Sequence, residues 1–168
     1  MLTAKPRVLM SVLILTLVGT LYAGKQPAVG KPAPDFSVSR LNTGDTVVLS
    51  AYQGKVVLLD FWASWCLPCK RLMPKFGEMK ERLPDLEILA LSTDVDRNKA
   101  LSFQRSVEPG LQAAYDANQK VSEAYGVGQM PTCFLIDKKG RLRFRHTGYT
   151  ESDLKKVERE AKLLLAEH

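Results

Sequence analysis

The sequence predicts an α/β domain of three layers, in which helices cover both faces of a central mixed β-sheet. Two buried strands are predicted from continuous apolar runs, VVLLDFW at 56–62 and LEILALS at 86–92. Helical periodicity follows the first run from Cys66 to Leu83, and it returns from Ser152 to Ala166. Strands that alternate with helices in this way are typical of an α/β sandwich.

The shorter predicted elements complete this arrangement. Two β-like runs at 35–41 and 46–50 flank the turn signal NTGD, so we expect an N-terminal β-hairpin. Beyond the second buried strand the sequence predicts a helix, a strand, a helix and two strands joined by a KKG turn, at 98–107, 112–115, 119–125, 132–137 and 142–146. We expect Ser152 to cap the last helix of the chain.

Composition excludes several classes of protein. The 168 residues suit one domain with a modest tail, and 45% hydrophobic with 25% charged residues allows an ordinary packed core. The net charge of +6 comes from basic residues that interleave with acidic ones and form no nucleic-acid-binding motif, so we expect a solvated basic surface and no nucleic-acid partner. Three cysteines are too few for a multi-bridge scaffold, and Lys70 stands where a haem-attachment motif requires His.

The N-terminal segment has the layout of an export signal. Lys5 and Arg7 precede an almost wholly apolar, uncharged run at 8–22, and Ala23-Gly24 supplies the small residues of a cleavage site. The run is short for a membrane span of about 20 residues. A cleaved signal and an uncleaved anchor therefore both stay open, beside the alternative of a buried N-terminal helix.

We expect three parts in the chain: a signal or anchor at 1–23, a linker rich in Gly, Pro and Lys at 24–34, and the folded domain at 35–168. Either form of export places the domain in the periplasm or another extracytoplasmic space, with an uncleaved segment tethering it to the membrane. Disulfides persist in such compartments.

Cys66 and Cys69 form a CxxC motif and are the candidate reactive residues. The strand that ends at Trp62 is followed by an Ala63-Ser64 turn, and the predicted helix begins at Cys66. Unpaired backbone N–H groups and the helix dipole stabilise a thiolate there, and the thiolate is the species that attacks disulfides. Two intervening residues place Cys69 one turn on, farther from solvent, where it can resolve a mixed disulfide. Pro68 suits the first helical turn because it has no N–H.

The stretch VVLLDFWASWCLPCKRLMP, at 56–74, resembles the active-site segment of the thioredoxin superfamily. Met130-Pro131-Thr132, preceded by Gly126-Val127, is similar to the cis-proline loop of that superfamily, which faces the CxxC pair and lines the substrate groove. The export signal, the N-terminal hairpin and the room for an extra strand and helix before Pro131 resemble the TlpA/ResA-like branch. Two residues depart from the pattern: Leu67 replaces the usual Gly of thioredoxin, and Cys133 follows the proline loop.

The resemblance implies a thioredoxin-like α/β/α sandwich whose mixed sheet carries an N-terminal β-hairpin and a strand-helix insertion before the cis-proline. It implies a protein-disulfide reductase that uses Cys66 and Cys69 and needs no bound cofactor or metal. Its partners would be exported proteins with thiols or disulfides, including apocytochromes c during maturation, and a membrane electron donor. We expect a monomer, with Trp65, Pro68, Met130 and Pro131 beside the reactive pair.

Several residues allow two interpretations. Asp60 lies among apolar neighbours and is either a buried proton acceptor for Cys69, as the resemblance implies, or a hydrogen-bonded structural carboxylate. Trp62 is either a core residue or part of the rim of the site. His146 is either a surface strand residue or a copper ligand. Cys133 lies in the buried pattern TCFLID and is either a small core residue or a third redox group.

Two other functions stay open. A thiol peroxidase of a related fold needs a threonine and a proline upstream of a lone reactive cysteine, where this sequence has Ser64-Trp65. A copper metallochaperone would bind the metal through Cys66, Cys69 and His146, although no motif places that histidine. Peroxide consumption and copper stoichiometry distinguish these functions from disulfide exchange.

Overall fold

Seven strands and four α-helices make up the part of the chain that the computed structural model describes, residues 26–167. The strands are β1 Ser37–Arg40, β2 Thr46–Val48, β3 Val56–Trp62, β4 Leu86–Ser92, β5 Ala113–Tyr115, β6 Thr132–Ile136 and β7 Leu142–Thr147. The helices are α1 Leu67–Arg82, α2 Arg97–Val107, α3 Lys120–Ala124 and α4 Leu154–Ala166. Short 3-10 turns lie at Leu49–Tyr52, Ala117–Gln119 and Glu151–Asp153.

The strands form one mixed sheet in the order β2-β1-β5-β4-β3-β6-β7. β4 pairs in parallel with β3 and with β5, whereas the remaining pairs are antiparallel. The pair β1 and β2 is the predicted N-terminal hairpin, and β5 with α3 is the predicted insertion before the proline loop. The thioredoxin-like fold class is therefore confirmed.

β3 is the central strand of the core, and all seven of its residues are buried. Because side chains alternate across a strand, Leu58 and Trp62 enter one apolar cluster, whereas Leu59 and Phe61 enter the cluster on the other face. The first cluster contains the buried faces of α1 and α4, represented by Phe76 and Val157. This alternation places Asp60 on the face that carries α1 and its two cysteines.

Two helix starts differ from the prediction. Ser152 is not the cap before α4, because Thr150 and Asp153 form a reciprocal capping box: the Thr150 N–H donates to the Asp153 carboxylate at 2.8 Å, and the chain then passes through a 3-10 turn. The helix expected at 119–125 is shorter, since Asn118 and Gln119 both adopt positive φ, at 65° and 59°.

The predicted signal or anchor at 1–23 lies outside the described residues. Part of the predicted linker contacts the folded domain: the Gly30 N–H donates to the Leu142 carbonyl at 2.7 Å, and the Ala33 N–H donates to the Gly140 carbonyl at 2.9 Å. Between residues 26 and 167, no helix has the length and apolar character needed to cross a membrane.

Candidate redox site

Cys66 and Cys69 form a disulfide at the N-terminus of α1. Cys66 is the N-cap residue in an extended conformation, and its Sγ accepts a hydrogen bond from the Cys69 N–H at 3.2 Å. Pro68 occupies the first turn, where no N–H partner is lost. Cys66 is 3% exposed and Cys69 is 1% exposed, so both residues of the oxidised pair are largely covered.

The turn before Cys66 is fixed by a buried carboxylate that no local pattern in the sequence indicates. Asp94 accepts hydrogen bonds from the Ser64 N–H at 2.8 Å, from the Ser64 hydroxyl at 2.7 Å and from the Ser92 hydroxyl at 2.9 Å. β3 and β4 are parallel, so Ser64 and Asp94, which follow their carboxyl ends, meet at one edge of the sheet. Asp94 thus orients the segment that delivers Cys66.

The two tryptophans have different surroundings. Trp62 is fully buried and stacks on Phe103, with ring centroids 5.4 Å apart, so it is a core residue. Trp65 is 70% exposed and Leu67 is 66% exposed, on either side of Cys66 in the chain. Large apolar side chains that remain exposed on both sides of a reactive cysteine are suited to contact another protein.

A cis peptide bond joins Met130 to Pro131, beside the N-terminus of α1. A cleft at this place is lined by Pro68, Leu72, Met130, Pro131 and Tyr149, among others. The Thr93 hydroxyl donates to the Met130 sulfur at 3.5 Å. Within residues 26–167, no hydrogen bond engages the backbone N–H or C=O of Met130, which leaves both groups available beside the cleft.

Asp60 is buried at 1% exposure on the face of β3 that belongs to the Cys69 cluster. Burial raises the pKa of its carboxyl from 3.8 to about 8, since an ionised carboxylate loses the solvation of water. The Tyr149 hydroxyl donates to Oδ1 of Asp60 at 2.6 Å and opposes part of that rise in pKa. Tyr149 was not singled out from the sequence, because it lies in a loop without a recognisable pattern.

Cys133 and His146 lie on the same face as Asp60, in register across β3, β6 and β7. Cys133 is a fully buried free thiol, and burial raises its pKa well above that of an ordinary cysteine. Nε2 of His146 lies 2.6 Å from the Glu160 carboxylate. The described residues form no cluster of three or more His, Cys, Asp or Glu side chains suited to a metal ion, so His146 is not grouped with the reactive pair there.

The fold and the disulfide at a helix N-terminus define a thioredoxin-fold thiol-disulfide oxidoreductase, and comparisons with known proteins agree. Residues 29–145 match the model of the AhpC/TSA family. Thiol-disulfide oxidoreductase ResA of Geobacillus thermodenitrificans is 37% identical over 158 residues, which cover 89% of this chain and 90% of the relative. ResA of Bacillus subtilis is 31% identical over 138 residues, which cover 80% of this chain and 76% of the relative.

Solved structures give the same result. A Chlorobium tepidum protein described as a thiol:disulfide interchange protein DsbE superposes with a TM-score of 0.80 at 34% identity, over 84% of this chain and 100% of that one. The exposed lipoprotein thioredoxin of Streptococcus pneumoniae superposes with a TM-score of 0.67 at 30% identity, over 76% of this chain and 99% of that one. The chain belongs to the AhpC/TSA family and, within it, to the ResA-like thiol-disulfide oxidoreductases, so the predicted family and class of enzyme are confirmed.

Proposed function

We propose that the protein reduces disulfides of exported proteins through the Cys66–Cys69 pair. The observation that carries this proposal is the position of the pair: a disulfide at a helix N-terminus, next to a cleft with free backbone groups and exposed apolar side chains. Each turnover oxidises the two cysteines and reduces one substrate disulfide to two thiols, a transfer of two electrons. No bound cofactor takes part in this exchange.

Cys66 is the proposed nucleophile. It is the N-cap residue, its sulfur accepts a hydrogen bond from the Cys69 N–H, and backbone N–H groups of the first turn favour its thiolate. The Cys66 thiolate attacks one substrate sulfur, the substrate disulfide breaks, and the other sulfur leaves as a thiolate. Cys69 then attacks Cys66 in the mixed disulfide, which releases the second substrate thiolate and closes the Cys66–Cys69 disulfide.

Asp60 is the proposed proton acceptor for Cys69. Cys69 must lose its thiol proton before it can attack, and it lies in a buried cluster where bulk water is scarce. A carboxyl group whose pKa is about 8 can take up and release a proton near neutral pH. Asp60 lies on the same face of β3 as this cluster, which supports the assignment.

The cleft beside Pro131 is the proposed substrate groove. An extended peptide could pair with the free N–H and C=O of Met130 as an added strand segment. Trp65 and Leu67, the exposed neighbours of Cys66 in the chain, would then contact apolar substrate side chains. Pro68 and Pro131 both line this cleft.

The proposed place of action is the bacterial envelope. The charge and apolar pattern at 1–23 supports export with or without a tether, and a lipoprotein of similar structure is described as exposed. An exported reductant must be recharged, so we further propose a membrane electron donor, a monomeric enzyme and substrates that include apocytochromes c.

Trapping the mixed disulfide tests the proposed function. In a Cys69→Ala variant the first step proceeds and the second cannot, so substrate proteins should stay bound to Cys66 and be released by a reducing agent. Cys66→Ala is the matched control and should trap nothing. Mass analysis identifies the partners, and recovery of oxidised envelope proteins is expected. Stoichiometric copper binding, or peroxide consumption at rates above disulfide reduction, would support the two alternative functions instead.

A further inference from the structure

Three strands place reactive side chains in one row on the face covered by α4. Asp60 on β3 lies directly opposite Cys133 on β6, and Cys133 lies directly opposite His146 on β7. Directly paired residues share a face of the sheet. Five ionisable or sulfur-bearing groups face Asp60 or its neighbours. They are Cys69 on α1, Cys133 on β6, His146 on β7, Tyr149 in the loop before α4, and Glu160 on α4.

Tyr149 alone among the described residues donates a hydrogen bond to the Asp60 carboxyl, at 2.6 Å. Glu160 is engaged elsewhere, because it pairs with His146 at 2.6 Å. On the β4 side the residue opposite Asp60 is Ala90, which has no polar group to offer. Burial raises the pKa of the Tyr149 hydroxyl well above its ordinary value, so the hydroxyl keeps its proton and remains a donor.

Tyr149 also borders the cleft beside the cis-proline. Its neighbour Gly148, at a φ of 62°, donates its N–H to the Pro131 carbonyl at 2.8 Å. On its other side Thr150 begins the capping box that leads into α4. The tyrosine is therefore held from both directions, with its ring against Phe76 of α1 at a centroid distance of 6.4 Å.

We infer that Tyr149 is a positioning residue for disulfide exchange: its hydroxyl holds the Asp60 carboxyl in one orientation and favours the carboxylate over the acid. This inference rests on the proposed role of Asp60. In the resolving step the Cys69 thiol gives its proton to the Asp60 carboxylate, and the Cys69 sulfur attacks Cys66. The bond between Cys66 and the substrate sulfur breaks, and the substrate leaves as a thiolate with the electron pair.

Tyr149→Phe removes the hydroxyl and keeps the ring. A hydrogen bond to a carboxylate stabilises the charged form enough to move its titration by about one pH unit. The resolving step, followed as the release of a thiol from a preformed mixed disulfide, should therefore show its midpoint about one pH unit higher in this variant. At pH 7 the step should be up to about tenfold slower, and the parent and variant rates should converge as the pH rises.

Tyr125→Phe is the matched control. Tyr125 is also buried and donates a hydrogen bond, to the Pro34 carbonyl at 2.8 Å, but it belongs to the cluster on the opposite face of the sheet. We expect this variant to lose stability and to keep the parent's pH midpoint. The rate at which Cys66 is alkylated should be unchanged in both variants.

The outcomes separate the two proposals. If Asp60→Asn abolishes the pH dependence of the resolving rate and Tyr149→Phe keeps the midpoint of the parent's rate profile, the proposed role of Tyr149 is wrong and that of Asp60 stands. If Asp60→Asn leaves the profile unchanged, the proton-transfer role of Asp60 is wrong. If a variant fails to fold, NMR on the unmodified protein provides the test instead. The ring ¹³Cζ chemical shift of Tyr149 should titrate together with the chemical shift of the Asp60 carboxyl carbon. A Tyr149 shift that does not change with pH would overturn the inference.

Discussion

The backbone N–H of Cys69 donates a 3.2 Å hydrogen bond to the Sγ of Cys66. The same donor, together with the helix dipole, favours a thiolate at Cys66 once the disulfide is reduced. Alkylation rates measured against pH in the reduced protein should therefore give Cys66 a pKa below that of free cysteine, about 8.5. Modification of Cys69 before Cys66 would show that the assignment of the nucleophile is wrong.

Asp60→Asn should stabilise the oxidised protein near neutral pH. Because burial holds the pKa of Asp60 at about 8 in the folded chain, against 3.8 for an ordinary aspartate, ionisation opposes folding. The free energy of unfolding of the parent should fall as the pH rises from about 4 towards 8, at up to about 1.4 kcal/mol per pH unit. Urea denaturation across this range should show that the variant lacks the fall and is the more stable protein at pH 7.

Asp116→Asn is a useful contrast. This buried aspartate accepts hydrogen bonds from the Val121 and Ser122 N–H groups at 3.0 and 2.8 Å. An amide is a weaker acceptor, so this variant should lose about 1–2 kcal/mol of stability. If the Asp60 and Asp116 variants lost stability alike at pH 7, the penalty assigned to the Asp60 charge would be absent.

Asp94→Ala should disturb the segment that positions Cys66. The change leaves three donors from Ser64 and Ser92 without their acceptor, at a cost of about 1–3 kcal/mol. We also expect slower reduction of a test disulfide. Asp96→Ala is the control, because Asp96 lies two residues further on and caps α2. This substitution should lower the free energy of unfolding by only about 1 kcal/mol and leave the exchange rate at the parent's value. Equal exchange rates in both variants would exclude a positioning role for Asp94.

The elements around the reactive pair could be predicted from the sequence because their signals are local. The apolar run 56–62 coincides with β3, and the CxxC spacing with Pro68 marks the start of α1. Tyr149 and Asp94 could not be found in this way. Their partners lie 89 and 30 residues away in the chain, at Asp60 and Ser64, and only the folding of the sheet brings them together.

The helix starts show the same limit on a smaller scale. Ser152 has a suitable side chain for a cap, but Thr150 is paired with an acidic residue three positions later and so forms the reciprocal box. The sequence contains both options within three residues. Backbone geometry selects between them, which is why the end of an element is harder to predict than its existence.

Cys133 should be unreactive in the native protein. Burial excludes reagents and raises the pKa of this thiol, so Cys133 should be alkylated only in denaturant, and at most two thiols, those of Cys66 and Cys69, should react in the reduced native chain. Cys133→Ala should keep the parent's exchange rate while losing about 1 kcal/mol of stability through a small cavity. A third thiol that reacts in the native state, or a variant without exchange activity, would support the redox alternative for Cys133.

The redox potential of the Cys66–Cys69 disulfide should be that of a reductant. A strong oxidant stabilises its reduced form by strongly favouring the nucleophilic thiolate. Here Leu67 and Pro68 add neither charge nor a side-chain donor, and no hydrogen bond from Lys70 reaches the Cys66 sulfur, so the N-terminus of α1 is the main stabilising influence. A titration against glutathione or dithiothreitol should give a value nearer to that of thioredoxin, about −270 mV, than to about −120 mV.

A substitution between the cysteines tests this explanation of the potential. Leu67→Lys places a positive charge beside the Cys66 thiolate, stabilises the reduced form and should make the potential less negative by about 30 mV, a tenfold change in the equilibrium constant. Leu163→Lys is the matched control, because Leu163 is similarly exposed but lies on α4. We expect it to leave the potential unchanged. A potential close to about −120 mV in the parent would instead make the protein a disulfide donor. An unaltered potential in Leu67→Lys would show that charge next to Cys66 does not determine the redox potential.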